Sequence, residues 1–219
     1  MENIPFLSKL STFSVLVPLF LALVTIRFHH REVKFLAYLI YTSFLVELCM
    51  VYLGYQKVNN LPLLNILTMA EFTLLSLIYY HLFQEAALKR FIKVSIHIFI
   101  AFTFLFSTFV KGWYEFSDVP RAIESLILVV FSLMYFRKLL TDLNVFYIER
   151  EPAFWVSTAV LFYFSGTLFM YIFSSYLALQ YTDVMKQVWH IHSMLNIIFN
   201  LLLAVGMWYS KQKFSRVMS

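Results

Sequence analysis

The chain has 219 residues, of which 61% are hydrophobic and only 13% are charged, and its mean hydropathy is +0.76. Soluble domains carry about 25% charged residues, so this composition excludes a soluble enzyme, a nucleotide-binding fold and a nucleic-acid-binding module. The formal net charge of +5 requires no nucleic-acid partner, because basic residues beside apolar segments are attracted by anionic lipid head groups.

Seven apolar segments are each long enough to cross a bilayer, whose hydrocarbon core of about 30 Å requires about 20 helical residues. The predicted spans are 10–28, 35–55, 61–83, 92–110, 119–139, 153–179 and 188–210. Helices are expected because a backbone in lipid must satisfy its own hydrogen bonds, and the sequence lacks the alternation of barrel strands. The sequence therefore predicts an all-α polytopic membrane protein, with a single seven-helix transmembrane domain over residues 1–219.

The lysines and arginines are distributed unevenly between the two sides of the predicted bundle. Twelve of the 17 lie on one side: Arg27, Arg31, Lys34, Lys89, Arg90, Lys93, Arg137, Lys138, Arg150, Lys211, Lys213 and Arg216. The other five are Lys9, Lys57, Lys111, Arg121 and Lys186. Because basic residues favour the cytoplasmic side, we expect the N-terminus outside and the C-terminus in the cytoplasm.

Motifs for catalysis or cofactor binding are not found in the sequence. His190 and His192 are two residues apart and point to different faces of a helix, so they do not form a zinc-binding pair. The seventh span has no lysine for a retinal Schiff base, and the single cysteine, Cys49, cannot form an intramolecular disulfide. We expect no catalytic residue, no metal site and no cofactor, with a metal held by Glu71 and His192 as an alternative.

Ionisable residues inside the predicted spans are candidates for function, since each costs about 2.5–3.5 kcal/mol on insertion scales. They are Glu47, Glu71, His97, Arg121, Glu124, His190 and His192. Glu71 lies near the middle of the third span, where a carboxyl group must be protonated, paired or next to water. Arg121 and Glu124 are three residues apart, and we expect them to pair with each other.

A polar stripe marks the seventh span, where His192, Asn196 and Asn200 recur every four residues and so share one helical face. The stripe either bonds to neighbouring helices or forms one wall of a polar cavity in the outer half of the bundle. The residues of the predicted ligand pocket are Glu47, Asn65, Glu71, Glu124, His192, Asn196 and Asn200. We expect Phe199, Leu201 and Leu202 to close its inner end.

Two stretches near the C-terminus, PAFWVSTAVLFYFSGTLFMYIFSS and VWHIHSMLNIIFNLLLAVGMWYS, make up the last two spans. They resemble the corresponding spans of small seven-helix membrane proteins of Bacteroidota. Such proteins are similar to the membrane sensor portions of two-component systems. The resemblance implies a multi-pass protein of the bacterial cytoplasmic (inner) membrane, and since such proteins are sometimes encoded beside a histidine kinase, it implies a partner of that kind but no particular site residue.

The expected function is therefore that of a membrane sensor or receptor-like protein. It would bind a small or apolar ligand in an outward-facing pocket and signal to a separate cytoplasmic protein such as a histidine kinase. One alternative is a small proton- or cation-coupled transporter or channel that uses Glu47 and Glu71, and another is an intramembrane enzyme. Beyond Asn200 the seventh span is apolar, which favours a pocket closed at its inner end over a conduit.

Overall fold

A computed structural model describes residues 6–25, 31–141, 147–180 and 182–217, and helices fill most of these ranges. The helices are α1 (Phe6–Ser14), α2 (Leu16–Thr25), α3 (Arg31–Tyr55), α4 (Leu61–Leu82), α5 (Ala86–Phe109), α6 (Asp118–Thr141), α7 (Pro152–Gln180) and α8 (Thr182–Val217). A short 3-10 turn, Ile148–Arg150, precedes α7. Over these ranges the structure has no β-strand, so the all-α prediction is confirmed.

Seven segments of the described chain are long and apolar enough to cross a membrane, which makes the protein an integral, multi-pass membrane protein. Helices α1 and α2 together form the first of these segments, and α3 to α8 supply the other six. The first segment covers Phe6–Thr25 rather than 10–28, of which residues 26–28 lie outside the described residues. The fourth starts at Ala86 rather than 92, because α5 begins in the charged sequence that precedes its apolar part.

A break divides the first span into two helices at Val15. Its physical cause is Pro18, which has no backbone N–H to donate to the Ser14 carbonyl and whose ring crowds that carbonyl. The regular ladder resumes with the Leu19 amide, which donates to the Val15 carbonyl over 3.1 Å. The residues before the break thus form a separate half-helix, α1, whose buried side chains are Ser11 and Ser14.

Six of the seven described spans form a closed ring. Going round the ring, α1–α2 is followed by α3, α4, α6, α7 and α8, and α8 packs against α1 and α2 to close it. Helix α5 packs mainly against α4 and to a smaller extent against α6. Because α5 contributes nothing to the cavity inside the ring, we place it outside the six-helix ring.

Two glycines lie where α7 and α8 pack against each other. A Cβ atom added at Gly166 would lie 2.6 Å from Leu195 Cδ1. One added at Gly206 would lie 3.3 Å from both the Pro152 carbonyl oxygen and Val156 Cγ2. Small residues let transmembrane helices approach closely, since packing is a main source of their association in lipid.

The two ends of the six-helix ring differ in their packing. We call the end at which α1, α4 and α6 begin the N-terminal face, and the opposite end the C-terminal face. Towards the C-terminal face the ring is filled by fully buried side chains: Phe72, Leu75, Tyr79, Leu128, Phe131, Ala159, Val160, Phe164, Leu203 and Met207. Towards the N-terminal face it encloses a cavity.

Candidate functional site

The cavity has a volume of about 500 Å³ and is lined by every span of the six-helix ring. Its lining residues are Ser8, Ser11, Thr12 and Val15 of the first span; Ser43, Glu47 and Met50 of α3; Leu64, Leu67 and Glu71 of α4; Arg121 of α6; Tyr163 of α7; and Trp189, His190, His192, Ser193, Asn196, Phe199 and Asn200 of α8. Pockets for small molecules have about this size, with a few polar groups among apolar walls.

The first wall of the cavity is formed by α1 and α8, which bond to each other through side chains. Asn196 donates from Nδ2 to Ser11 Oγ over 2.9 Å, and Asn200 donates from Nδ2 to Ser14 Oγ over 2.8 Å. Ser14 Oγ in turn donates to the Ser11 carbonyl over 2.6 Å. The two asparagines therefore act both as cavity lining and as bonds that hold α1 against α8.

On a second wall of the cavity, His192 of α8 contacts two tyrosines of α7. The His192 Nε2 atom lies 3.2 Å from the Tyr163 hydroxyl and 3.4 Å from the Tyr171 hydroxyl. The Trp189 ring packs edge-on against the imidazole, with 5.5 Å between ring centroids. This arrangement satisfies one nitrogen of a largely buried imidazole, as buried polar groups require.

Arg121 is the one cationic side chain, among the described residues, that lines the cavity, and it is only 7% exposed. It donates from Nη2 to the Leu64 carbonyl over 3.2 Å, across the α4–α6 interface. Its guanidinium Cζ lies 5.9 Å from the centroid of the Phe116 ring and 5.7 Å from that of the Tyr171 ring. Aromatic faces on a desolvated guanidinium stabilise its charge.

Two carboxyl groups lie within electrostatic range of Arg121. Glu71 is 8% exposed, lines the cavity, and makes no hydrogen bond or close ion pair among the described residues. Glu124 is 1% exposed, and its Oε1 atom has no hydrogen-bond partner in the described part of the structure. The cavity lining therefore includes both a guanidinium group and a carboxyl group that interact electrostatically, and a second buried carboxyl interacts with the same guanidinium without lining the cavity.

A third carboxyl, that of Glu47 on α3, also lines the cavity. Its Oε1 atom accepts a hydrogen bond from Thr12 Oγ1 over 2.8 Å, which joins α3 to α1. Glu47 is more accessible than Glu71. Because Thr12 uses only one of its acceptor positions, the Glu47 carboxyl retains capacity for a further donor.

The structure brings together five of the seven residues of the predicted pocket. Glu47, Glu71, His192, Asn196 and Asn200 all line the cavity. That they bind a ligand stays a prediction.

The other two predicted pocket residues lie elsewhere. Asn65 donates from Nδ2 to the Trp113 carbonyl over 3.2 Å and so fixes the loop between α5 and α6. Glu124 is buried among the helices without reaching the cavity surface. Both face the bundle interior, but neither lies at the cavity wall.

Two further expectations require correction. Leu201 does not close the inner end, because it is 47% exposed on the outside of the bundle, whereas Phe199 is buried and lines the cavity. Arg121 and Glu124 interact electrostatically but do not form a close ion pair, since Arg121 instead donates to Leu64 on the neighbouring helix. Arg121 lines the cavity, although it was not among the residues of the predicted pocket.

The hydroxyl face of α1 was also missed. Ser8, Ser11 and Ser14 follow each other at intervals of three and, with Thr12, face the interior, while Phe6, Leu10 and Phe13 are exposed. The interval of three was visible in the sequence as a helical periodicity of small polar residues. His97, in contrast, lies on the exposed side of α5, where its Nδ1 atom lies 2.7 Å from the Lys93 carbonyl oxygen.

Among the described residues, no group of three or more His, Cys, Asp or Glu side chains is placed to hold a metal ion. The fold and the site together define a class: a polytopic α-helical membrane protein with a polar, partly charged cavity inside a six-helix ring. Comparisons with known protein families, with curated proteins and with solved structures found no match.

Proposed function

We propose that the protein is a membrane sensor or receptor-like protein that binds a small molecule in the cavity. The basic residues support an orientation with the N-terminal face outside the bacterial inner membrane, so that the ligand is taken from the extracytoplasmic side. The observation that carries the proposal is the convergence of all six ring helices on one cavity that contains both charged and aromatic groups. A ligand there can contact every span of the ring at once.

Helix α8 supports the second part of the proposal, which is signalling to a separate cytoplasmic partner such as a histidine kinase. It runs without a break from Thr182 to Val217, and so connects the cavity wall at His192 and Asn196 with the C-terminal face. A ligand that displaces this wall would move the other end of the same helix. Small helix shifts of about 1–2 Å are a known way of transmitting such signals.

A proton- or cation-coupled transporter is the second candidate, because Glu47 and Glu71 both line the cavity. Transport requires a wetted route to the C-terminal face. The packed residues below the cavity favour binding instead, since Phe72, Leu128 and Leu203 are fully buried on three different helices. We propose no catalytic step.

Native mass spectrometry of the purified protein tests the proposal. We expect a small-molecule adduct on the wild-type protein that is lost in the variant Ser43→Trp, whose indole would fill the cavity from α3. The matched control is Leu45→Trp, because Leu45 is exposed on the same helix and an indole there leaves the cavity open. An adduct that survives Ser43→Trp as well as Leu45→Trp, or no adduct with any extract tested, would contradict the proposal.

A further inference from the structure

At one seam of the six-helix ring, the backbones of two neighbouring helices do not approach closely. Beside the cavity, α1 packs against α8, and α3 packs against α4, but α1 and α3 have almost no close backbone contact with each other. The seam closes further down, where α2 packs against α3. Both α1 and α3 nevertheless line the cavity. The wall between them is therefore made by side chains, and the hydrogen bond from Thr12 to Glu47 crosses it.

The surroundings of this seam change from apolar to polar over a short distance. Phe13, next to Thr12, is 64% exposed, and Leu48, next to Glu47, is 51% exposed. Both segments lie within membrane-spanning stretches, so the outer side of the seam faces lipid tails. On its inner side lie Ser11 and the two bridging side chains. An amphiphile with its polar head in the cavity and its chain in the bilayer would match this change.

The charges in the cavity indicate what kind of head would be bound. Arg121 has five N–H donors and can present those not directed at Leu64 and Tyr171 to an anionic group. Glu71 is more than nine-tenths buried at the cavity wall and has no hydrogen-bond donor directed at it among the described residues. A buried carboxyl without a donor is costly, and an ammonium group from a ligand would supply one.

We propose that the cavity takes the head of a zwitterionic amphiphile, which enters sideways from the bilayer between α1 and α3. Arg121 receives the phosphate or carboxylate of the head, and Glu71 receives its ammonium group. Glu47 and Thr12 hold the seam closed until the head enters. This inference rests on the proposed function, because it names the ligand class and the route for the same cavity.

A reversible cross-link across the seam tests the route. The full chain carries Thr12→Cys and Glu47→Cys in a Cys49→Ser background, since Cys49 is the single cysteine. A short bifunctional thiol reagent that is cleaved by reduction joins α1 to α3. The same protein after reduction, and the same protein treated with a monofunctional reagent, are the controls, because they keep both substitutions without the bridge.

The probes are lysophosphatidylethanolamine and its water-soluble head, glycerophosphoethanolamine, with the protein in an uncharged maltoside detergent. We expect the cross-link to weaken binding of the lysolipid about tenfold or more and to leave binding of the soluble head unchanged. An alkylammonium and a fatty acid of equal chain length should both bind about tenfold more weakly than the lysolipid to the reduced protein. If the cross-link leaves the affinity for the lysolipid unchanged, the proposed route between α1 and α3 is wrong.

The failure of this inference can be distinguished from failure of the proposed function. If the soluble head binds as tightly as the lysolipid, the ligand comes from water, and the amphiphile is wrong while the receptor proposal stands. If neither probe binds but native mass spectrometry finds an adduct that Ser43→Trp removes, the ligand class is wrong and the cavity is still a binding site. If neither probe binds and no adduct is found, both are wrong.

Discussion

Asn200 of α8 donates a hydrogen bond to Ser14 of α1 over 2.8 Å, although the two residues are 186 positions apart in the chain. Ser14 is the last residue of α1, directly before the break caused by Pro18. Asn200 is buried and also lines the cavity. The bond therefore fixes the end of a half-helix at the break, and it ties the first span to the last at the depth of the cavity.

A double-mutant cycle measures what this bond contributes. We expect Asn200→Ala and Ser14→Ala each to lower the free energy of unfolding in detergent, and the two changes together to cost less than their sum. Interhelical hydrogen bonds in membrane proteins contribute about 0.6 kcal/mol on average and up to about 1.7 kcal/mol, so the coupling energy should fall in that range. Leu201→Ala, on the exposed face of α8, is the control. Strictly additive effects would mean that the two side chains do not stabilise each other.

The Glu71→Gln variant separates a structural role from a role in binding. Because Glu71 accepts no hydrogen bond in the described structure, its neutral isostere should fold and keep its stability to within about 1 kcal/mol. Binding of a zwitterionic ligand should weaken about tenfold, since an amide cannot pair with an ammonium group as a carboxylate does. Expression, thermal unfolding and ligand affinity are measured on the same preparation.

Glu115→Gln is the matched control for this substitution, because Glu115 is exposed in the loop between α5 and α6. It removes the same charge near the N-terminal face and should leave both stability and affinity unchanged. If Glu71→Gln fails to fold while Glu115→Gln folds, the Glu71 carboxyl is a structural element of the bundle. The assignment of Glu71 to the ligand would then have to be abandoned.

The sequence predicted the spans and the stripe on α8 because both depend on local patterns. Apolar length defines a span, and a repeat of four places His192, Asn196 and Asn200 on one face whichever helices surround it. The neighbours of a face are set by long-range packing, which no local pattern contains. Asn65 and Glu124 were therefore placed at the cavity although they bond or pack elsewhere.

Arg121 shows in the same way that long-range packing cannot be read from local patterns, because it lines the cavity although it was not placed there. Glu124 follows it by three residues, and pairing within one helix was the simplest expectation. The groups that actually engage it belong to Leu64 of α4, Phe116 of the preceding loop and Tyr171 of α7. Pro18 could also be read from the sequence, but only the structure shows that the helix breaks before it and that α1 becomes a separate half-helix.

Membrane orientation is tested by a C-terminal fusion. The excess of basic residues on one side predicts that the C-terminus is cytoplasmic. A green fluorescent protein fused there should fold and fluoresce, whereas an alkaline phosphatase fused there should be inactive because it stays in the cytoplasm. The opposite pattern would place the cavity on the cytoplasmic side and would reverse the direction of signalling in the proposed function.

Arg121→Lys tests whether the cavity needs a guanidinium group or only a positive charge. Lysine keeps the charge opposite Glu71 and Glu124, but it loses the planar stacking between Phe116 and Tyr171 and the forked donors. We expect a folded protein with affinity for the zwitterionic probe reduced about tenfold. Arg121→Gln should reduce both affinity and thermal stability, because it leaves two buried carboxyls without a cation. Equal affinity in wild type and Arg121→Lys would mean that the ligand requires only a positive charge at this position.

Cysteine accessibility distinguishes a receptor cavity from a transport path. In a Cys49→Ser background, a cysteine at Ser43 should react with a membrane-impermeant thiol reagent added at the N-terminal face, because Ser43 lines the cavity. A cysteine at Ser157 should react from neither face, since Ser157 is fully buried and its carbonyl accepts a hydrogen bond from Ser132 over 2.8 Å within the packed part of the ring. Both positions carry serine in the wild-type chain, so each substitution exchanges only oxygen for sulfur. Reaction of the Ser157→Cys variant from the C-terminal face, above all if ligand accelerates it, would indicate alternating access and would favour transport over sensing.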